Sequence, residues 1–139
     1  MGEEEKRRRG DLWILEYYFI FKCLAYITIM NLIKSHKELI VYQLAFKVSM
    51  EIFKITKIFP KDEVYSLTSQ IRRSSRSVCS NLAEAFRKRR YKKAFVSKLS
   101  DSEGETAETQ VWLDYAFECE YIPEEAYSRL INEYEKIMG

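Results

Sequence analysis

The chain of 139 residues is 47% hydrophobic and 14% aromatic, which excludes a disordered tail and suits one domain with a real core. Only four Gly and two Pro are present, too few turn residues for a sandwich or barrel of many short strands, so an all-α fold is expected. The net charge of +2 hides an asymmetry, because residues 70–98 hold ten Lys/Arg against Glu84 alone, while residues 99–139 hold eleven acids against Arg129 and Lys136. A basic block beside an acidic block points to a polyanion partner, to self-association, or to both.

Residues 1–10 are charged and unpatterned, and read as a solvated tail. Residues 12–33 are apolar at 18 of 22 positions, the length of a membrane span. Lys22 at the middle of that stretch, with Glu16 before it, argues against insertion, since each would cost roughly 2.5–3.5 kcal/mol at the bilayer centre. An amphipathic extra helix, or an upstream extension ahead of a start at Met30, remain the alternatives. Residues 1–33 are therefore set apart as an N-terminal extension carrying a hydrophobic helical segment, and 34–139 as the main domain.

Four helices are predicted in that domain. The first spans Ser35 to Phe59, with Tyr42, Ala45, Phe46, Ile52, Phe53, Thr56 and Phe59 at spacings of three and four; Leu44, Val48 and Ile55 widen the stripe to more than one buried side. Pro60 ends it, and Asp62 is placed to cap a second helix over 62–90. A third occupies 92–121, and Pro123 stops it and opens a fourth ending near Met138. The pattern is an antiparallel up-down-up-down four-helix bundle with short loops.

The second helix presents three faces. Val64, Leu67, Ile71, Ser75, Val78, Leu82 and Ala85 form a core arc, beside which Gln70, Arg73, Ser77, Asn81 and Glu84 make a polar seam. Arg72, Arg76, Arg87 and Arg90 fall on an outward basic arc. If helices two and three fold back around Tyr91, Arg73 lies level with Glu108, Ser77 with Glu105 or Thr106, Asn81 with Asp101 or Ser102, and Glu84 with Lys98. These pairings make the seam a structural network within the bundle or between subunits. On the third helix Phe95, Leu99, Ser102, Thr106, Thr109, Leu113 and Ala116 form a second seam, where small residues with Gly104 allow close helix approach. Trp112, Tyr115 and Phe117 read as core or subunit contacts.

Arg87, Lys88, Arg89, Arg90, Lys92 and Lys93 surround Tyr91 at the turn between helices two and three. A solvated helix end explains such a cluster, as does a phosphate-binding edge extended by Arg72, Arg76 and Lys98. Charge alone does not separate the two. Tyr91 and Phe86 are the candidates for stacking on unpaired bases. Cys23, Cys79, Cys119 and the lone His36 offer neither metal spacing nor a nucleophile–base pair, so no enzyme, cofactor or metal is expected. Scattered thiols of odd number suit a cytoplasmic protein.

The string FPKDEVYSLTSQIRRSSRSVCSNLAE at 59–84, with LSDSEGETAE at 99–108, resembles the bacterial four-helix-bundle proteins encoded in intervening sequences of 23S ribosomal RNA genes. It is similar in kind to the accessory variability determinant of diversity-generating retroelements. The matching positions are Pro60, Glu63, Leu67, Gln70, Arg72, Arg73, Ser77, Asn81, Ala83, Glu84, Gly104 and Glu108, within a resemblance covering residues 36–138. Ala85 and Glu105 depart from it, standing where Gly and Ser are usual. The resemblance implies a ring-shaped homopentamer with a basic surface. From the retroelement relative it implies binding to RNA or DNA and to a protein partner such as a reverse transcriptase. The resulting expectation is a non-enzymatic nucleic-acid-binding ring, with a protein-interaction scaffold as the alternative and a membrane-tethered bundle behind both.

Overall fold

The computed structural model describes Leu24 and residues 32–139. The chain divides into two units, Met1–Lys34 and Ser35–Gly139. The hydrophobic stretch at 12–33 lies almost wholly outside the described residues. Among those described, no helix is long and apolar enough to cross a membrane.

The second unit is an all-α bundle. After a 3-10 turn at His36–Glu38, which Ser35 opens by exchanging hydrogen bonds with Lys37 and Glu38, come α1 (Ile40–Ile55), α2 (Leu67–Lys88), α3 (Lys92–Glu118) and α4 (Glu124–Met138). Each helix packs on its sequence neighbours, and α1 closes against α4. Cross-links run in opposite order along each pair. Ser49 meets Cys79 and Thr56 meets Arg72; Arg73 meets Glu108 and Asn81 meets Lys98; Gln110 meets Glu135 and Asp114 meets Tyr127. Consecutive helices are therefore antiparallel.

The core is made by Ala45, Val48 and Ile52 of α1, Ile71, Val78 and Leu82 of α2, Leu113 and Ala116 of α3, and Leu130 and Tyr134 of α4. Three expectations change here. Phe46 is 50% exposed, so α1 buries one face rather than several. Val64 is 46% exposed because it precedes the helix instead of joining its core arc. Asp62 caps nothing: α2 starts at Leu67, whose N–H donates to Glu63 Oε2 at 3.2 Å, and Ser66 Oγ donates to the same oxygen. A side chain four residues back reaches the first turn, where Asp62 is displaced by the 3-10 turn at Lys61–Glu63. The Ser66 and Leu67 hydrogen bonds hold the Glu63 carboxyl below its ordinary value.

Helices α2 and α3 meet through small and hydroxyl-bearing residues. Thr109 Oγ1 donates to Ser74 Oγ at 2.8 Å, Ser102 Oγ donates to the Val78 carbonyl at 3.2 Å, and Thr106 bonds back to the Ser102 carbonyl. Gly104 plays no part in that approach, since a Cβ added there would meet nothing within 4 Å. Helix α3 stops in a turn where Tyr121 N–H reaches the Ala116 carbonyl and Glu120 N–H the Phe117 carbonyl, with Glu120 in the left-handed region at φ 61°.

Candidate nucleic-acid interface

The two charged faces of α2 are organised differently. Toward α3, Arg73 donates from Nη2 to Glu108 Oε1 at 2.7 Å and from Nε to Gln70 Oε1 at 3.3 Å, while Glu108 also accepts from Trp112. Lys98 lies 3.2 Å from both Glu84 and Asp101, and 3.5 Å from Asn81 Oδ1. Hydrogen bonds to Asp101 and then Glu84 push the Lys98 ammonium above its ordinary value. Lys98 is thereby paired inside the seam with Glu84 and Asp101, unlike the exposed cations of the turn. Asn81 pairs with Lys98 rather than with Asp101 or Ser102. Ser77 lines a groove together with Arg73, and its hydroxyl makes no hydrogen bond to Glu105 or Thr106.

That groove, about 800 Å³ and open to solvent, runs between the end of α1, the turns after it and the first half of α2. Its cations are Lys57, Lys61, Arg72, Arg73 and Arg76, and no carboxylate lines it. Three of the five gather on one ring: Lys57, Arg72 and Arg76 stand 5.0, 4.9 and 5.7 Å from the Phe53 centroid. Such contacts are worth about 0.5–1 kcal/mol each at exposed sites. Arg72 is fixed further, because its Nε donates to Thr56 Oγ1 at 2.7 Å while Thr56 in turn donates to the Ile52 carbonyl. Arg72 is half-buried in consequence and not on an outward arc.

Beyond Arg76 and Ser80 the surface between α1 and α2 turns apolar, lined by Tyr42, Phe46, Met50 and Ala83. Tyr42 and Phe46 stack with their centroids 6.1 Å apart. The basic surface is therefore two zones, separated by exposed aromatic surface. Arg76 and Arg87 lie about 16 Å apart along the helix axis.

The second zone is the turn joining α2 and α3. Arg87, Arg90, Lys92 and Lys93 are exposed, and their side chains have no partner among the described residues. Tyr91 is 72% exposed. Lys88 sits 3.9 Å from Glu84, and Arg89 folds back to donate to the Phe86 carbonyl at 2.8 Å with its guanidinium 4.0 Å over the Phe86 ring. Phe86 is 2% exposed, with Arg89 over its ring, and offers no face for a base to stack on. Beside Tyr91, Phe46 on α1 is exposed, at 50%. Among the described residues no group of His, Cys, Asp and Glu is placed to hold a metal ion.

Phe53, Phe46, Lys57 and Lys61 were invisible as site residues in the sequence. The two aromatics fall within the apolar period of α1, and only the docking of α1 on α2 brings them beside Arg72 and Arg76.

The model of the 23S rRNA-intervening sequence protein family matches residues 37–139. The chain belongs to that family. A solved structure from Bacteroides thetaiotaomicron, described as a protein of unknown function from the S23 ribosomal protein family, is similar to it at 26% identity and a TM-score of 0.64, over 71% of this chain and 88% of that one. No curated protein matches. The intervening-sequence match spans all four helices of the bundle, and so includes the α1–α2 surface and the basic turn.

Proposed function

We propose that this intervening-sequence protein is a non-enzymatic module that binds single-stranded or looped RNA, with DNA as a competing ligand, and does so as an assembly of identical chains. The observation that carries the reading is the order of surfaces along α2: a groove of cations, the exposed Phe46 stacked on the half-buried Tyr42, then the unpaired cations of the turn. Cations interleaved with aromatic faces suit a flexible strand, whose phosphates and unstacked bases alternate.

Self-association is supported by α3. Val96, Val111 and Tyr115 are 53%, 48% and 56% exposed, and with Gly104 they fall within an arc of about 100° on the side away from the core. A mid-helix glycine costs roughly 1 kcal/mol, and nothing inside the chain uses the space beside it. Close approach by a second copy would use it, and would multiply the basic turns by avidity. The exposed Phe46 and Met50 favour a second reading, the docking of a protein partner such as a polymerase-like enzyme.

The test is fluorescence-anisotropy binding of a random single-stranded RNA at two salt concentrations, with the mass in solution measured alongside. Changing Arg87, Arg90, Lys92 and Lys93 together to Ala is expected to lower both affinity and the salt slope while leaving the mass unchanged, because each phosphate contact releases counterions. Wild-type protein that binds no RNA at low salt would sink the reading and move the search to protein partners.

A further inference from the structure

We propose that the groove between α1 and α2 is a dedicated phosphate site, separate from the turn and built on Lys57, Arg72 and Arg76 around Phe53. The proposal deepens the nucleic-acid reading and rests on it for the source of the phosphate, either a strand's backbone or its terminus.

Four observations converge on the groove. Three cations share one ring, and no carboxylate among the lining residues offsets them. A folded chain that collects like charges without a counter-charge holds a site of high positive potential, which an anion relieves. Arg72 is held by Thr56 through its Nε alone, which leaves both Nη groups without an acceptor and the guanidinium fork fixed in place. Thr68, 5% exposed and lining the groove at the first turn of α2, has a hydroxyl with no hydrogen-bond partner. Buried hydroxyls without partners are uncommon, and one beside a cationic groove points to a ligand oxygen.

Neither acid that follows Lys61, Asp62 or Glu63, lines the groove. Glu63 is occupied by Leu67 N–H, the Ser66 hydroxyl and the Tyr121 hydroxyl at 3.1 Å. Arg73, though it lines the groove, is drawn to Glu108 on the far side of α2. The donors that remain are two guanidinium groups and the Lys57 and Lys61 ammonium groups. They approach from the turns after α1 and from α2. Donors arriving from several directions match the tetrahedral oxygens of a phosphate better than the two coplanar oxygens of a carboxylate.

The experiment uses the full chain and inorganic phosphate as the probe, with sodium chloride matched for ionic strength. Three proteins are compared: wild type, the Lys57→Gln/Arg76→Gln variant, and the turn variant with Arg87, Arg90, Lys92 and Lys93 changed to Ala. Phosphate is expected to raise the melting temperature of wild type and of the turn variant, and to bind the groove variant at least about tenfold more weakly. The melting temperature in chloride alone reports whether the groove variant is folded. An equal phosphate shift in wild type and groove variant, or none in wild type, overturns the site even if RNA still binds. Loss of RNA binding with the phosphate shift retained overturns the nucleic-acid source and not the groove. Short RNAs with and without a 5′ phosphate then compete for the site: a preference for the phosphorylated strand assigns the terminus, and equal competition assigns the backbone. A polyglutamate peptide that displaces phosphate as well as RNA does would overturn the phosphate assignment.

Discussion

The two flanks of α2 carry the same kind of residue and treat it in opposite ways. On the α3 side, Arg73 and Lys98 each meet carboxylates at 2.7–3.2 Å, hydroxyls pair across the helix contact, and the charges cancel locally. On the α1 side, Arg72 and Arg76 meet an aromatic ring and a threonine, with no acid in the groove. The difference comes from the neighbours. The acidic block of the sequence folds into α3 and α4, so it can neutralise only the flank of α2 that faces it. The other flank looks onto α1 and the 3-10 turn after it, which supply Lys54 and Lys57. One flank of α2 is thus paired with carboxylates of its own chain, whereas among the described residues the groove on the other flank is lined by cations and no carboxylate.

Filling the paired flank should give the largest effect. Ser74 is fully buried where α2 and α3 approach most closely, so Ser74→Leu is expected to destabilise the bundle by roughly 1–3 kcal/mol, read as a lower urea midpoint by circular dichroism. A midpoint equal to wild type would show that the two helices are not held together by small residues.

Charge removal should separate the flanks more sharply, with smaller numbers. Arg73→Ala deletes a partly exposed ion pair and is expected to cost about 0.2–1 kcal/mol. Arg76→Ala removes a like charge from the groove and should leave the urea midpoint unchanged or slightly higher, despite losing its contact with Phe53. A larger loss for Arg76→Ala than for Arg73→Ala would contradict the comparison.

The smallest expected effect belongs to Glu63, in the connecting turn. Its folded carboxyl lies below the ordinary 4.5, chiefly through the Ser66 hydrogen bond, so its contribution is present above pH 4.5 and is lost as pH falls through the lowered folded value. Urea midpoints measured against pH should therefore fall less steeply below pH 4.5 for Glu63→Gln than for wild type. Parallel curves would show that Glu63 does not hold the start of α2.

Much of this was legible in advance. The 3.6-residue period, Pro60 and Pro123 delimit four helices, because burial of one face and the loss of a backbone donor act locally. The short link around Tyr91 sets the register of α2 against α3, so Arg73 with Glu108 and Glu84 with Lys98 follow from counting residues. The cap of α2 was not legible. Asp62 and Glu63 are equally acidic, and only the geometry of the 3-10 turn that holds them both decides which one reaches Leu67.

The sequence by itself determined the class of the fold, the α2–α3 register and the presence of an unneutralised basic block, since all three depend on neighbours close along the chain. The tertiary structure alone decided where that block is divided. It turned Phe86 inward and Lys98 into the seam, and it placed Phe53 beneath three cations that lie up to 19 residues away from one another. Those outcomes depend on how α1 rotates and settles against α2, a long-range packing choice that no local period records.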